Sequence, residues 1–288
     1  MTTTTDNFFS NAATKYAEYN ITSTQMSAAQ AYLEGKTSVN QVTQQLATHV
    51  EAAPTPVELK VRLDSLWEFL NDTAVALPAA QEPIITLLKA IKTLPQGPEP
   101  EGEGKEHIDL DDGEYWKELT GWANIWADNF NSYAVNHSRD TSGSQDRTKE
   151  QKEKVTKWKN ACEYGARLIG TGDEALASYG AGIERAAWAI ASGLEVDVSE
   201  KPDPDGLEAA AQVFLHAKEA LYSRCKEGPK EGIVKDKASV WKGENSFTLE
   251  RWAFWKEQWK AVTRNESIPA HTRGVAESAI QAMEGIEG

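Results

Sequence analysis

The chain has 288 residues, 40% of them hydrophobic and ten of them tryptophan, so it can bury a sizeable core and wholesale disorder is excluded. Its formal net charge of −14 argues against unaided nucleic-acid binding, which needs Lys and Arg to neutralise phosphates, and against docking on anionic membranes. The two cysteines, Cys162 and Cys225, make neither a disulfide framework nor a CxxC pair, and each lies in a helical pattern as a small apolar residue.

The start, Met1 followed by four threonines and Asp6, has no basic or apolar leader pattern, and no stretch approaches the roughly 20 apolar residues of a membrane span. The reading is a cytoplasmic protein, with the nucleus left open. Residues 1–53 read as a helical extension. Phe8, Phe9, Ala12, Ala13, Tyr16 and Tyr19 recur at helical spacing. Ser38 can cap a helix that carries Val39, Val42, Leu46 and Val50 inward and Gln41, Gln44 and Gln45 outward. This extension is less apolar than the rest and reads as a loosely attached flap.

Residues 54–288 read as one helical domain. Leu59, Leu63, Leu66, Trp67 and Leu70 form a stripe that Pro78 ends; Ile84, Leu87, Leu88, Ile91 and Leu94 form the next, with Pro83 near its start. The run 95–112, rich in Pro, Gly and Glu, reads as a solvated acidic linker, and 195–205 as a second acidic loop. Helices are predicted over 116–137, 149–169, 174–194, 206–225, 248–263 and 271–286. The helix over 174–194 has apolar residues on two sides, Leu176, Tyr179, Ile183, Ala187, Ile190 and Leu194 on one and Ala177, Ala181 and Trp188 on the other. That pattern predicts a central element. No alternating β pattern and no fixed repeat occurs. The fold class is all-α, with roughly ten antiparallel helices packed around one core.

Motifs for zinc, nucleotide, dinucleotide and serine-hydrolase sites are missing, and the five histidines (His49, His107, His137, His216 and His271) share no i, i+4 pair, so no metal and no cofactor is assigned. His216 lies about 200° from Phe214 on the wheel and is expected at the surface. Three helices carry candidate chemistry. Trp122, Trp126 and Tyr133 share a face in which Asn129 is embedded and which Asn136 extends. Such an amide is either a bonded core residue or a group that orients a ligand in an aromatic pocket. Arg167 and Arg185 stand beside apolar stripes, as surface ion pairs or as pocket charges. Trp252, Trp255 and Trp259 fall within an arc of about 60°, flanked by Arg251 and Lys256, as core or as a box for a planar ligand with cation–π contacts. The candidate pocket set is therefore Trp122, Trp126, Asn129, Tyr133, Arg167, Arg185, Arg251, Trp252 and Trp255.

Several blocks in order resemble the fungal domain-of-unknown-function 3632 family: Leu66, Trp67 and Phe69 with Pro83, Leu87, Leu88, Ile91 and Pro95; Tyr115, Trp116, Leu119 and Trp122; Trp158, Asn160, Ala166, Arg167 and Leu168; and Val240, Trp241, Lys242 and Gly243 with Phe247, Glu250, Arg251, Trp252, Phe254 and Trp255. The tail, with Thr272, Arg273, Ala276, Ala279, Met283 and Ile286, fits as well, so the likeness runs from about Leu59 to Glu287; Thr120 and Gly121 depart from the pattern. The resemblance implies a helical protein of filamentous fungi, some members of which sit among secondary-metabolism genes, and it carries no catalytic residue set. Two readings of function follow. One is a binder of a small hydrophobic or aromatic metabolite, or a cofactor-free tailoring enzyme of isomerase or cyclase type. The other is a non-enzymatic scaffold or interaction protein, with a homo-oligomer among its forms. The first requires an enclosed, aromatic-lined pocket holding at least one of Asn129, Arg167, Arg185 and Arg251; surface pairs around a filled core would remove its basis.

Overall fold

The computed structural model describes residues 4–16, 20–105, 114–140, 147–177, 182–200, 202–228 and 239–287. Tyr19, His107, Tyr179 and Ala181, and the side chains of Asn136 and His137, lie outside the described residues. The chain is all-α: twelve α-helices and no strand occur among the described residues. It divides into two compact units, Met1–Asn129 and Phe130–Gly288.

The first unit holds α1 (Thr5–Tyr16), α2 (Ser23–Leu33), α3 (Val39–Glu51), α4 (Pro56–Ala76), α5 (Gln81–Ile91) and the start of α6 (Trp122–Asp140). Local chemistry sets these boundaries. Thr22 and Ser38 each close a capping box, with Gln25 and Gln41, and Thr55 caps α4 with Pro56 in its first turn. Helix α4 is the unit's axis: Leu59, Leu63, Leu66, Trp67, Phe69, Leu70 and Ala74 are all buried, and it touches α1, α3 and α5. The expected flap is instead packed structure. Val42, Leu46 and Val50 bring α3 fully into the core, because an i, i+4, i+8 stripe of aliphatic side chains is sufficient to bury a helix whose other face is glutamine.

Two local expectations are corrected here. The helix predicted from Trp116 begins at Trp122. Residues 115–120 form turns, with Leu119 at φ 49° and Gly121 at φ 82°, left-handed values that break a helical run. That turn is pinned by indole N–H groups: Trp67 Nε1 donates to the Thr120 carbonyl at 2.8 Å and Trp116 Nε1 to Glu51 Oε1 at 3.0 Å. The described part of the acidic run is also anchored. Gly97 is buried against the ring of Tyr115, where a Cβ would collide with the phenol, and Gly104 is buried with Val57 beside it.

The second unit holds α7 (Lys149–Gly170), α8 (Ile183–Gly193), α9 (Pro204–His216), α10 (Lys218–Glu227), α11 (Leu249–Arg264) and α12 (Ala270–Glu287). Its central helix is α9, which packs on α7, α8, α10 and α12. The helix predicted over 174–194 and assigned that place is shorter. Asp173 Oδ1 accepts from the backbone of Ala175 and Leu176 to hold a separate turn, and α8 starts only at Ile183. Helix α9 owes its centrality to small residues. Gly206, Ala209, Ala210 and Ala211 are buried, and Gly193 of α8 approaches the Gly206 backbone. The predicted helix over 206–225 is two, broken at Ala217 (φ −127°, ψ 19°). No glycine or proline stands at that break, and nothing local in the sequence accounts for it.

At the other end of α9, Gly170 of α7 lies against the carbonyl of His216, at a separation that leaves no room for a Cβ. Gly170→Ala is expected to destabilise the protein by about 1–3 kcal/mol through forced separation of α7 and α9, read as a lowered midpoint in urea unfolding.

Candidate functional site

The tryptophan arc on α11 is core. Trp252, Trp255 and Trp259 are buried and converge on Phe214 of α9, with ring centroids 5.7–5.9 Å apart. Arg251 does not reach solvent from the flank of this arc. It is fully buried, as is Glu195, the second residue after α8. Arg251 Nε donates to Glu195 Oε1 at 2.6 Å and Nη2 to Oε2 at 2.7 Å, a bidentate pair. Trp255 Nε1 donates to Oε1 at 2.7 Å and Ser239 Oγ to Oε2 at 3.1 Å. The rings of Trp241 and Trp255 each lie 5.8 Å from the guanidinium carbon. Trp252 and Lys256 both bond Glu287 at the end of α12, the indole at 2.6 Å.

The other two arginines are held differently. Arg167 pairs with Glu163 one turn back on α7, at 2.8 Å and partly exposed. Arg185, on α8, donates to Asn131 Oδ1. Phe130 packs against Trp158 of α7 with ring centroids 5.1 Å apart and planes tilted by 60°, and Tyr133 is half-buried on the same helix as Phe130. His216, expected at the surface, is half-buried 3.9 Å from Glu163. Both cysteines are buried, and burial pushes their thiols up, that of Cys225 to about 12.

In the first unit, Trp122 and Trp126 are buried, and Trp122 Nε1 donates to Asn71 Oδ1 at 3.1 Å. Asn129 is half-buried, and its Nδ2 donates to Glu68 Oε2 at 2.8 Å. Glu68 is half-buried on α4. Burial above all raises its carboxyl above the ordinary value; the charge of Asp72 adds to this, while the Asn129 bond and Lys15 act the other way. One turn on, Asp72 accepts from Tyr16 and Lys15 of α1.

Sequence reasoning found Asn129 and Arg251 but missed Glu68, Asp72 and Glu195, which look like any other carboxylate of an acidic chain. The available signal was indirect: an arginine beside a buried indole arc, and an amide within an aromatic face, each require a partner. Two open clefts in the first unit, of about 390 Å³ beside Ser27 and Ala31 and about 500 Å³ beside Leu33 and Pro78, are lined by none of the candidate residues. Among the described residues, no three His, Cys, Asp or Glu side chains are grouped so as to hold a metal, and no helix is long and apolar enough to cross a membrane.

A family model described as "Protein of unknown function (DUF3632)" matches residues 67–259. The chain belongs to this family. The match opens at Trp67 in α4 and closes at Trp259 in α11, so it takes in both Glu68 with Asn129 and Glu195 with Arg251. No curated protein and no solved structure matches the chain.

Replacing Arg251 by Met leaves the Glu195 carboxylate buried without its cation. The loss expected is about 3–5 kcal/mol in urea unfolding, and adding Glu195→Gln should recover part of it. Glu68 gives a pH signature of opposite origin. Its folded value lies above its unfolded one, so its contribution to stability is full below the unfolded value and is lost as pH rises through the folded one. Glu68→Gln should therefore raise the thermal midpoint relative to the parent by an amount that grows from acid toward neutral pH across that window.

Proposed function

We propose that the protein is a cofactor-free small-molecule protein, a metabolite binder with the means for acid–base chemistry, and that its working face is on α4 and α6 of the first unit. The observation that carries this reading is the Asn129–Glu68 pair. A half-buried carboxyl, held on one oxygen by an amide and raised by burial above its ordinary value, is a group suited to exchange a proton with a ligand. Of the residues offered by the sequence, Trp122, Trp126 and Asn129 belong to this face. Arg167, Arg185, Arg251, Trp252 and Trp255 are engaged by protein groups and are assigned to packing.

A second reading, a non-enzymatic scaffold or interaction protein, draws on the closed Glu195–Arg251 core and on Val57 and Val61, large apolar residues one turn apart on α4 and both exposed. The two readings separate on metabolites. In the filamentous fungi where this family is expected, a deletion strain should accumulate a compound absent from the parent, and the purified protein should bind or convert it. An unchanged profile favours the scaffold and overturns the small-molecule reading.

A further inference from the structure

Asp64, Glu68 and Asp72 recur every fourth residue of α4, so their carboxyls stand one above another along a single face. The outer two have cations: Lys60 pairs with Asp64, and Lys15 with Asp72, to which Tyr16 also donates. Glu68 forms no ion pair among the described residues; its hydrogen-bond partner there is Asn129. Asn71, three residues on, is 0% exposed. Its Oδ1 is taken by Trp122, but its Nδ2 has no hydrogen-bond partner among the described residues. A fully buried amide N–H without a protein acceptor is uncommon, and a ligand or a water can supply one.

We propose that Glu68 and Asn71 together form a hydrogen-bond-donating site for a neutral small molecule that bears a carbonyl oxygen. The two side chains leave α4 one turn apart, with Cβ atoms about 5–6 Å from each other, so an acceptor with two lone pairs can take a bond from each. A cationic ligand fits poorly, because Asn71 offers N–H and the outer carboxylates already hold cations. An anionic ligand meets the row of carboxyls. A neutral acceptor meets neither objection. Burial raises the Glu68 carboxyl above its ordinary value, the direction a donor role requires, and the titratable groups along this face are Lys15 and Tyr16 on α1 and Lys60, Asp64 and Asp72 on α4. The inference rests on the small-molecule reading above and gives it a ligand class.

The test uses the full chain, labelled with ¹⁵N, and acetophenone as probe, following the side-chain amide signals of Asn71. A saturable shift of those signals is expected, with affinity falling as pH rises and Glu68 ionises. Glu68→Ala should weaken binding about tenfold, whereas Glu68→Gln, which keeps a donor, should stay within about twofold and lose the pH dependence. Circular dichroism confirms that each variant is folded. Asn71 signals that do not move with acetophenone and exchange only with water overturn the proposal, as does unchanged affinity in Glu68→Ala. If a compound from the deletion strain binds while acetophenone leaves Asn71 unmoved, the ligand class falls and the small-molecule reading stands.

Discussion

The Glu195 carboxylate organises the second unit. Its two oxygens receive four donors, from Arg251 twice, from Trp255 and from Ser239, which matches the acceptor capacity of an ionised carboxylate. Those donors come from α11 and from the segment before it, and the carboxylate itself from the second residue after α8. The Val240 N–H adds a bond at 2.7 Å to the Glu195 carbonyl. One buried ion thus ties the chain after α8 to Ser239 and to Arg251, which lie 44 and 56 residues further along. Such a pair adds little net stability over an apolar replacement, but it permits a single register, because any slip leaves a charge buried alone. The indoles that look like a ligand box are the walls that keep water from this pair.

The first unit treats its central carboxyl in the opposite way. Glu68 has one oxygen bonded by Asn129 and, among the described residues, forms no ion pair, while the carboxyls one turn before and after it are neutralised. A Glu195 filled by protein donors and a Glu68 with one described donor assign different roles to two acidic residues that composition cannot distinguish. They also explain why the small-molecule reading is placed on α4 and α6 although the denser aromatic clusters lie elsewhere.

Much of the fold was legible because helical periodicity is a one-dimensional signal. The stripes on α4 and α5, the Ser38 cap, the stop at Pro78 and the arc on α11 all follow from spacing and local chemistry. What was not legible depends on partners distant in sequence. Leu119 takes a left-handed value inside a turn held by Trp67, which is contributed from α4. Ala217 breaks a run of good helix formers beside a residue whose carbonyl Gly170 approaches. Arg251 could be placed on the edge of its arc, yet its burial was decided by Glu195, which the sequence disguised as the first residue of an acidic loop. The candidate site was half legible for the same reason: Asn129 announced itself as an amide in an aromatic face, and the carboxyl it holds did not.

The seat of Tyr115 on Gly97 bears on how this chain can change length. The phenol lies 3.5 Å from the Pro98 carbonyl, so the start of the proline- and glutamate-rich run is tied to the turn that precedes α6. A spacer tolerates added or lost residues anywhere; a strap fastened at one point does not. Insertions between Ile91 and Gly97 would slide the glycine out from under the ring and put a bulkier residue there. In evolution this stretch should therefore keep its length on the α5 side even where its composition drifts toward that of a simple acidic tether.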